Sequence, residues 1–203
     1  VHASIEGQRR IIGQCVDLWV QPKHRRFGPR PGLFVNLALA HYEEWGGKGE
    51  NQNSFHHGWP IATWRIGQKY LKYEIVRDWD FLYREMTPGG FPKRSTSDEL
   101  EVRKVDRFNE DVNDLWTEFS KETQLAVIRD QRYLNWRYAD SVDSSYELYE
   151  CREKSSNKLR GIAIVAQRDF VIPNMCILVD WMVPQHDVDT TTALVAKAEE
   201  RAC

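Results

Sequence analysis

The sequence predicts an α/β protein, an α+β mixed sheet assembled from two partial repeats, and three observations carry that expectation. Short β-branched runs alternate with amphipathic helical stretches along the chain. One strand–turn–helix unit occurs twice. Between the copies, Thr87 to Ser97 (TPGGFPKRSTS) is dense in proline, glycine and serine and reads as a linker. The expected division is 1–90 for the C-terminal half of a first repeat and 98–203 for the N-terminal half of a second, degenerate one.

The elements follow in order. Ile11 to Val20 (IIGQCVDLWV) is apolar and β-branched, and predicts a buried strand. Pro22 to Gly32 (PKHRRFGPRPG) is a loop with four cations, three prolines and two glycines. Leu33 to Trp45 has helical spacing and is stopped by Gly46-Gly47. A polar stretch, Lys48 to His57, precedes a short helix from Pro60 to Ile66, ended by Gly67. Lys69 to Val76 and Phe81 to Met86 predict strands. Beyond the linker, Leu100 to Phe108 is a strand, Asn109 to Thr123 and Ile128 to Ala139 are helices, and Tyr146 to Arg152 with Leu159 to Gln167 form a hairpin. Met175 to Val183 is a second buried strand, and Thr190 to Arg201 a helix.

Bulk composition narrows the function classes. The 203 residues are 41% hydrophobic and 29% charged, an ordinary globular mixture, and the formal net charge is -2. A general nucleic-acid or membrane-surface binder would carry a basic excess, so neither partner is expected. No apolar run approaches the roughly 20 residues a membrane helix needs. Four cysteines stand far apart without a C-x-x-C pair, which predicts free thiols, a reducing cytoplasmic setting and no metal site. The chain starts at Val1 and stops inside a helical pattern, so it is expected to be a piece of a longer protein.

The repeat pairs Val16-Asp17-Leu18-Trp19-Val20-Gln21-Pro22-Lys23-His24 with Val179-Asp180-Trp181-Met182-Val183-Pro184-Gln185-His186. Strand, Asp, Pro, His and helix match in order. The turns differ in sign: Arg25-Arg26-Phe27-Gly28-Pro29-Arg30 is basic, Asp187-Val188-Asp189 acidic. A basic, glycine-containing turn between a strand and a helix N-terminus is a phosphate cradle in physical terms. The helix offers unpaired N–H groups and a positive dipole end, and arginine adds fork-shaped donors. An acidic turn repels the same phosphate.

A buried strand ending V-x-P, the Arg25–Arg30 turn and the long helix after it together resemble the acyl-CoA-binding core of the GNAT acyltransferase superfamily. The family's turn carries Arg or Gln, a central Gly and a final Gly or Ala. Here Arg25, Arg26 and Gly28 match, whereas Arg30 and Pro29 depart from it. Asn53 resembles the family's Asn after strand five, and Ile66-Gly67-Gln68-Lys69-Tyr70 its Gly–aromatic turn. Arg129 to Tyr138 (RDQRYLNWRY) is similar to a segment of tandem GNAT-like proteins.

The resemblance implies a GNAT-like fold, acetyl-CoA as co-substrate and transfer of its acyl group to an amine on a small molecule or peptide. It implies a cofactor site at Leu18, Trp19, Val20, Arg25, Arg26, Phe27, Gly28, Arg30 and Asn53. Half-repeats that cannot each close a core also suggest a homo-dimer. No residue is assigned a catalytic role: Tyr70 lies just beyond the helix where the family often places its Tyr acid, and Asp17 is matched by Asp180 in the degenerate copy. The alternative is a non-catalytic GNAT-fold ligand-binding or interaction module. His56-His57 reads as a surface pair, and Tyr133, Trp136 and Arg137 as one packed helix face.

Overall fold

The computed structural model of the chain describes all residues except 16–19, 27, 48, 59–63, 79, 81, 86–94, 143–145 and 203. It is a mixed α/β structure with two sheets among the described residues, divided into a first unit, Val1–Leu82, and a second, Tyr83–Cys203.

In the first unit, strands β1 (His2–Ile5) and β2 (Gln8–Gln14) form an antiparallel hairpin. Glu6 and Gly7 turn it with φ of 49° and 77°, the left-handed pair that matches strand twist in a two-residue loop. Helix α1 spans Leu33–Trp45, as its helical spacing and the Gly46-Gly47 stop predict, and leads to β3 (Asn53–His57), which pairs with β2 in parallel. Helix α2 covers Trp64–Leu71. Ala3, Ile12, Val35 and Leu71 are buried.

Several expectations for this unit are corrected. β2 starts at Gln8 and ends at Gln14, earlier than the expected Ile11–Val20, and Val16–Trp19 lie outside the described residues. The polar stretch before His57 holds a strand. Gly67 sits inside α2 instead of ending it, because its missing Cβ admits the ring of Tyr73, whose N–H bonds to the Gly67 carbonyl at 3.2 Å. Lys69–Leu71 therefore continue the helix, and Lys72, at a φ of 57°, follows its end. Residues 73–78 and 82–85 contain no strand. Of the expected linker, Thr87 to Ser97, residues 87–94 lie outside the described residues, and 95–97 are irregular.

The second unit is an antiparallel sheet in the order β4 (Leu100–Val105), β6 (Tyr146–Glu153), β7 (Leu159–Arg168), β8 (Met175–Met182). Helix α3 is Val112–Ser120, and the short strand β5 is Leu125–Val127. Helix α4, Gln131–Leu134, widens into a π-helical turn at Asn135–Ala139, and α5 is Val188–Ala202. One sheet face packs Leu148, Ile162, Ile164 and Met182 against Phe108, Val112, Leu115, Leu134 and Tyr138. The other packs Tyr149, Cys151, Ala163 and Val165 against Ala193 and Leu194 of α5. Central β7 is thus covered on both faces, which is why it reads as a continuous apolar run. β8, expected as a central strand, is an edge strand of this sheet among the described residues.

Candidate functional site on helix α1

The basic turn is fastened to the helix it feeds. Pro22–His24 makes a single 3-10 turn, and the Arg25 Nε donates to the Val20 carbonyl at 3.1 Å. Gly28 has a φ of 86° and Gly32 a φ of 122°, both in the region that favours glycine. The Asn36 amide reaches back to the Pro29 carbonyl at 2.8 Å, and the Gly32 N–H bonds the same oxygen at 3.1 Å. Arg25, Arg26, Gly28 and Arg30 are exposed, while Val20 is half-buried. Leu18, Trp19 and Phe27 lie outside the described residues.

The start of α1 is electrostatically open. No side chain caps it, and its first turn holds no acidic residue. Helix geometry leaves those first N–H groups without intrahelical partners, at the positive end of the dipole. Neither Arg26 nor Arg30 has an ion-pair partner among the described residues.

The acidic turn of the second copy is closed. Asp187 accepts from the Thr190 N–H at 3.1 Å and the Thr190 hydroxyl at 2.9 Å, and pairs with Arg160 at 2.8 Å. Burial pushes the Asp187 carboxyl up, but Thr190 and Arg160 together hold it below the usual carboxylate range. Asp187 is the N-cap of α5, so one helix start supplies its own anion and the other does not.

The far half of α1 carries a second constellation. His41 Nε2 lies 3.2 Å from His56 Nε2, and Asn53 Nδ2 lies 3.2 Å from the same nitrogen. Asn53, expected to line the cofactor site, has His56 as its partner. The His56 ring also rests on Tyr42, with centroids 4.7 Å apart, and the Tyr42 and Tyr73 hydroxyls meet at 3.0 Å. Burial, then the neighbouring His41, lowers the His56 pKa, so the ring is neutral at neutral pH. Burial and the Tyr73 bond raise that of Tyr42.

The sequence drew attention to the neighbours His56-His57, but successive strand residues point to opposite faces, and the partner of His56 is fifteen positions earlier on a helix. No short-range signal marks that pairing. Among the described residues no group of three or more His, Cys, Asp and Glu gathers in one place.

No family model, curated protein or solved structure matches this chain.

The remaining candidates fall in the second unit. Asp180 accepts from the Arg129 Nε at 2.9 Å and from the Tyr138 hydroxyl at 2.7 Å, and is occupied as a structural anchor. Tyr133, Trp136 and Arg137 do not form a common packed face: Trp136 is 60% exposed, whereas Leu134, Asn135 and Tyr138 are buried. The wider π turn resets the helical spacing at this point. Burial pushes the Cys151 thiol up to about 11, which disfavours a nucleophilic thiolate. No described helix is long and apolar enough to cross a membrane.

Proposed function

We propose that the chain is part of an acyl-CoA-dependent N-acyltransferase of GNAT type, with the cofactor pyrophosphate held by Arg25, Arg26, Gly28 and Arg30 at the start of α1. The observation that carries this reading is the uncapped, acid-free N-terminus of α1 behind a turn with exposed arginines. A pyrophosphate supplies the negative charge that this helix start lacks, and arginine forks bind it through charge-assisted bonds. In the reaction, the amine nitrogen attacks the thioester carbonyl carbon. The C–N bond forms, the C–S bond breaks, the amine proton goes to a base, and the CoA sulfur leaves and takes up a proton.

Calorimetry with CoA and acetyl-CoA tests the cradle. The full chain should bind both, and Arg25→Ala with Arg26→Ala should weaken binding and flatten its salt dependence. Each charge-assisted contact contributes about 1.5–3 kcal/mol, so the double change is measurable. A double variant that binds CoA as well as the parent, or a parent that binds neither, sinks the reading. Binding without acyl transfer to any of a panel of amines would favour the non-catalytic module.

A further inference from the structure

Three independent features of the first unit converge on one point. The pairing of β2 with β3 shifts register between Ile11 and Gly13, so that Ile11 faces Asn53 while Gly13 faces His56. Two steps on β2 thus match three on β3. A bulge of this kind re-aims side chains, and here it lets Asn53 and His56, three positions apart, reach the same place. Gly13 is the second feature: a Cβ there would collide with the His56 imidazole, which lies across the strand in the space glycine leaves. The third is His41, presented from α1 with its ring set edge-on to that of His56 at a centroid distance of 5.1 Å.

The result is two imidazole Nε2 atoms 3.2 Å apart with a carboxamide 3.2 Å from one of them. Zinc sits about 2.0–2.1 Å from an imidazole nitrogen, so an ion bound by both would subtend about 100° between them, close to a tetrahedral angle. We infer that His41, His56 and Asn53 form an open divalent-metal site of the zinc class, taking the ion through two Nε2 atoms and the Asn53 carboxamide oxygen. In the metal-free chain one imidazole N–H bridges the two rings. On binding, that proton moves to the Nδ1 of its own ring, a small rotation turns both lone pairs to a common point, and the Asn53 amide flips to present Oδ1. Two neutral imidazoles with one amide oxygen leave the fourth position to water. The donor set is selective: imidazole suits zinc, copper and nickel, and gives magnesium and calcium little.

The test is titration of the metal-stripped full chain with Zn²⁺ by calorimetry, and with Cu²⁺ by electron paramagnetic resonance. One equivalent of Zn²⁺ should bind, and the Cu²⁺ spectrum should show splitting from two nitrogens. His41→Gln and His56→Gln should each lose more affinity than the roughly 10–100-fold typical of removing an outer partner. Asn53→Ala should weaken binding, and His186→Gln should leave it unchanged. His41 is exposed, so His41→Gln keeps the fold and decides the question even if the His56 variant does not. Failure to bind Zn²⁺, a Mg²⁺ affinity equal to that for Zn²⁺, or full binding in His41→Gln overturns the site. None of these outcomes depends on CoA binding.

Discussion

The Tyr138 hydroxyl donates to the Asp180 carboxylate across 2.7 Å, tying the π-helical turn to strand β8. Arg129 and the Trp181 N–H occupy the other oxygen, at 2.9 and 2.8 Å, so Asp180 is committed on both sides. Burial first, then the Asp180 charge and the hydrogen bond to it, raise the Tyr138 pKa and keep the hydroxyl protonated as a donor. Tyr138→Phe leaves one carboxylate oxygen without this donor in a partly buried site. Urea denaturation should show a loss of about 1–3 kcal/mol. A loss below measurement error would mean that water replaces the phenol at no cost.

Glu150 and Arg152 form a buried ion pair at 2.7 Å, with side chains 0% and 3% exposed. Arg103 and Asp111 extend it at either end. Glu150→Ala leaves the buried Arg152 guanidinium with Asp111 and the Asn157 carbonyl but without its closest buried counter-charge, and should cost about 3 kcal/mol. Replacing both with apolar residues, Glu150→Leu with Arg152→Met, should cost clearly less than the single change. Additive losses across Glu150→Leu, Arg152→Met and their double variant would contradict the pairing.

The Asp187 cap gives the second unit a defined acid sensitivity. Its carboxyl titrates lower when folded than the roughly 3.9 of an unfolded Asp, so the unfolded chain binds the proton more readily. The resulting stability is present above that value and disappears as pH falls through the lower folded one. Asp187→Ala should cost about 0.5–2 kcal/mol at neutral pH. Asp187→Asn should keep much of the cap but flatten stability against pH below about 4. An unchanged slope in the Asn variant would assign the acid sensitivity to other carboxylates, Glu147 first, whose pKa is also lowered.

Much of the fold was legible where local chemistry and tertiary structure agree. Leu33–Trp45 was readable because an apolar-periodic run ends at Gly46-Gly47. Tyr146–Glu153 and Leu159–Arg168 were readable because alternating and continuous apolar runs flank a polar turn. β1 and β3 were missed for a common reason: HASI and NSFHH lack a long apolar signature, and pairing with β2 decides their state. The α2 boundary was misread because glycine usually ends helices, whereas Gly67 serves the approach of a ring six residues later. At the candidate site, the basic turn was visible as a cluster of charges. The His41–His56 contact was not, since it needs a bulge, a glycine and a helix from three separate segments.

The two-sided burial of β7 bears on how the chain stays out of aggregates. Gly161 to Ala166 (GIAIVA) has no charge, no proline and a strong taste for extended pairing, the composition of a steric-zipper segment when left uncovered. Arg160 and Arg168 bracket it like gatekeepers. In the folded chain Arg160 is held by Asp187 and Arg168 lies 5.2 Å from the centre of the Tyr146 ring, so each guard also has a native post. Before the sheet closes those contacts do not exist, and both guanidinium groups are at liberty to repel a second copy of the same strand. The residues that fasten the ends of β7 in the native unit are the ones that shield it from self-association on the way there.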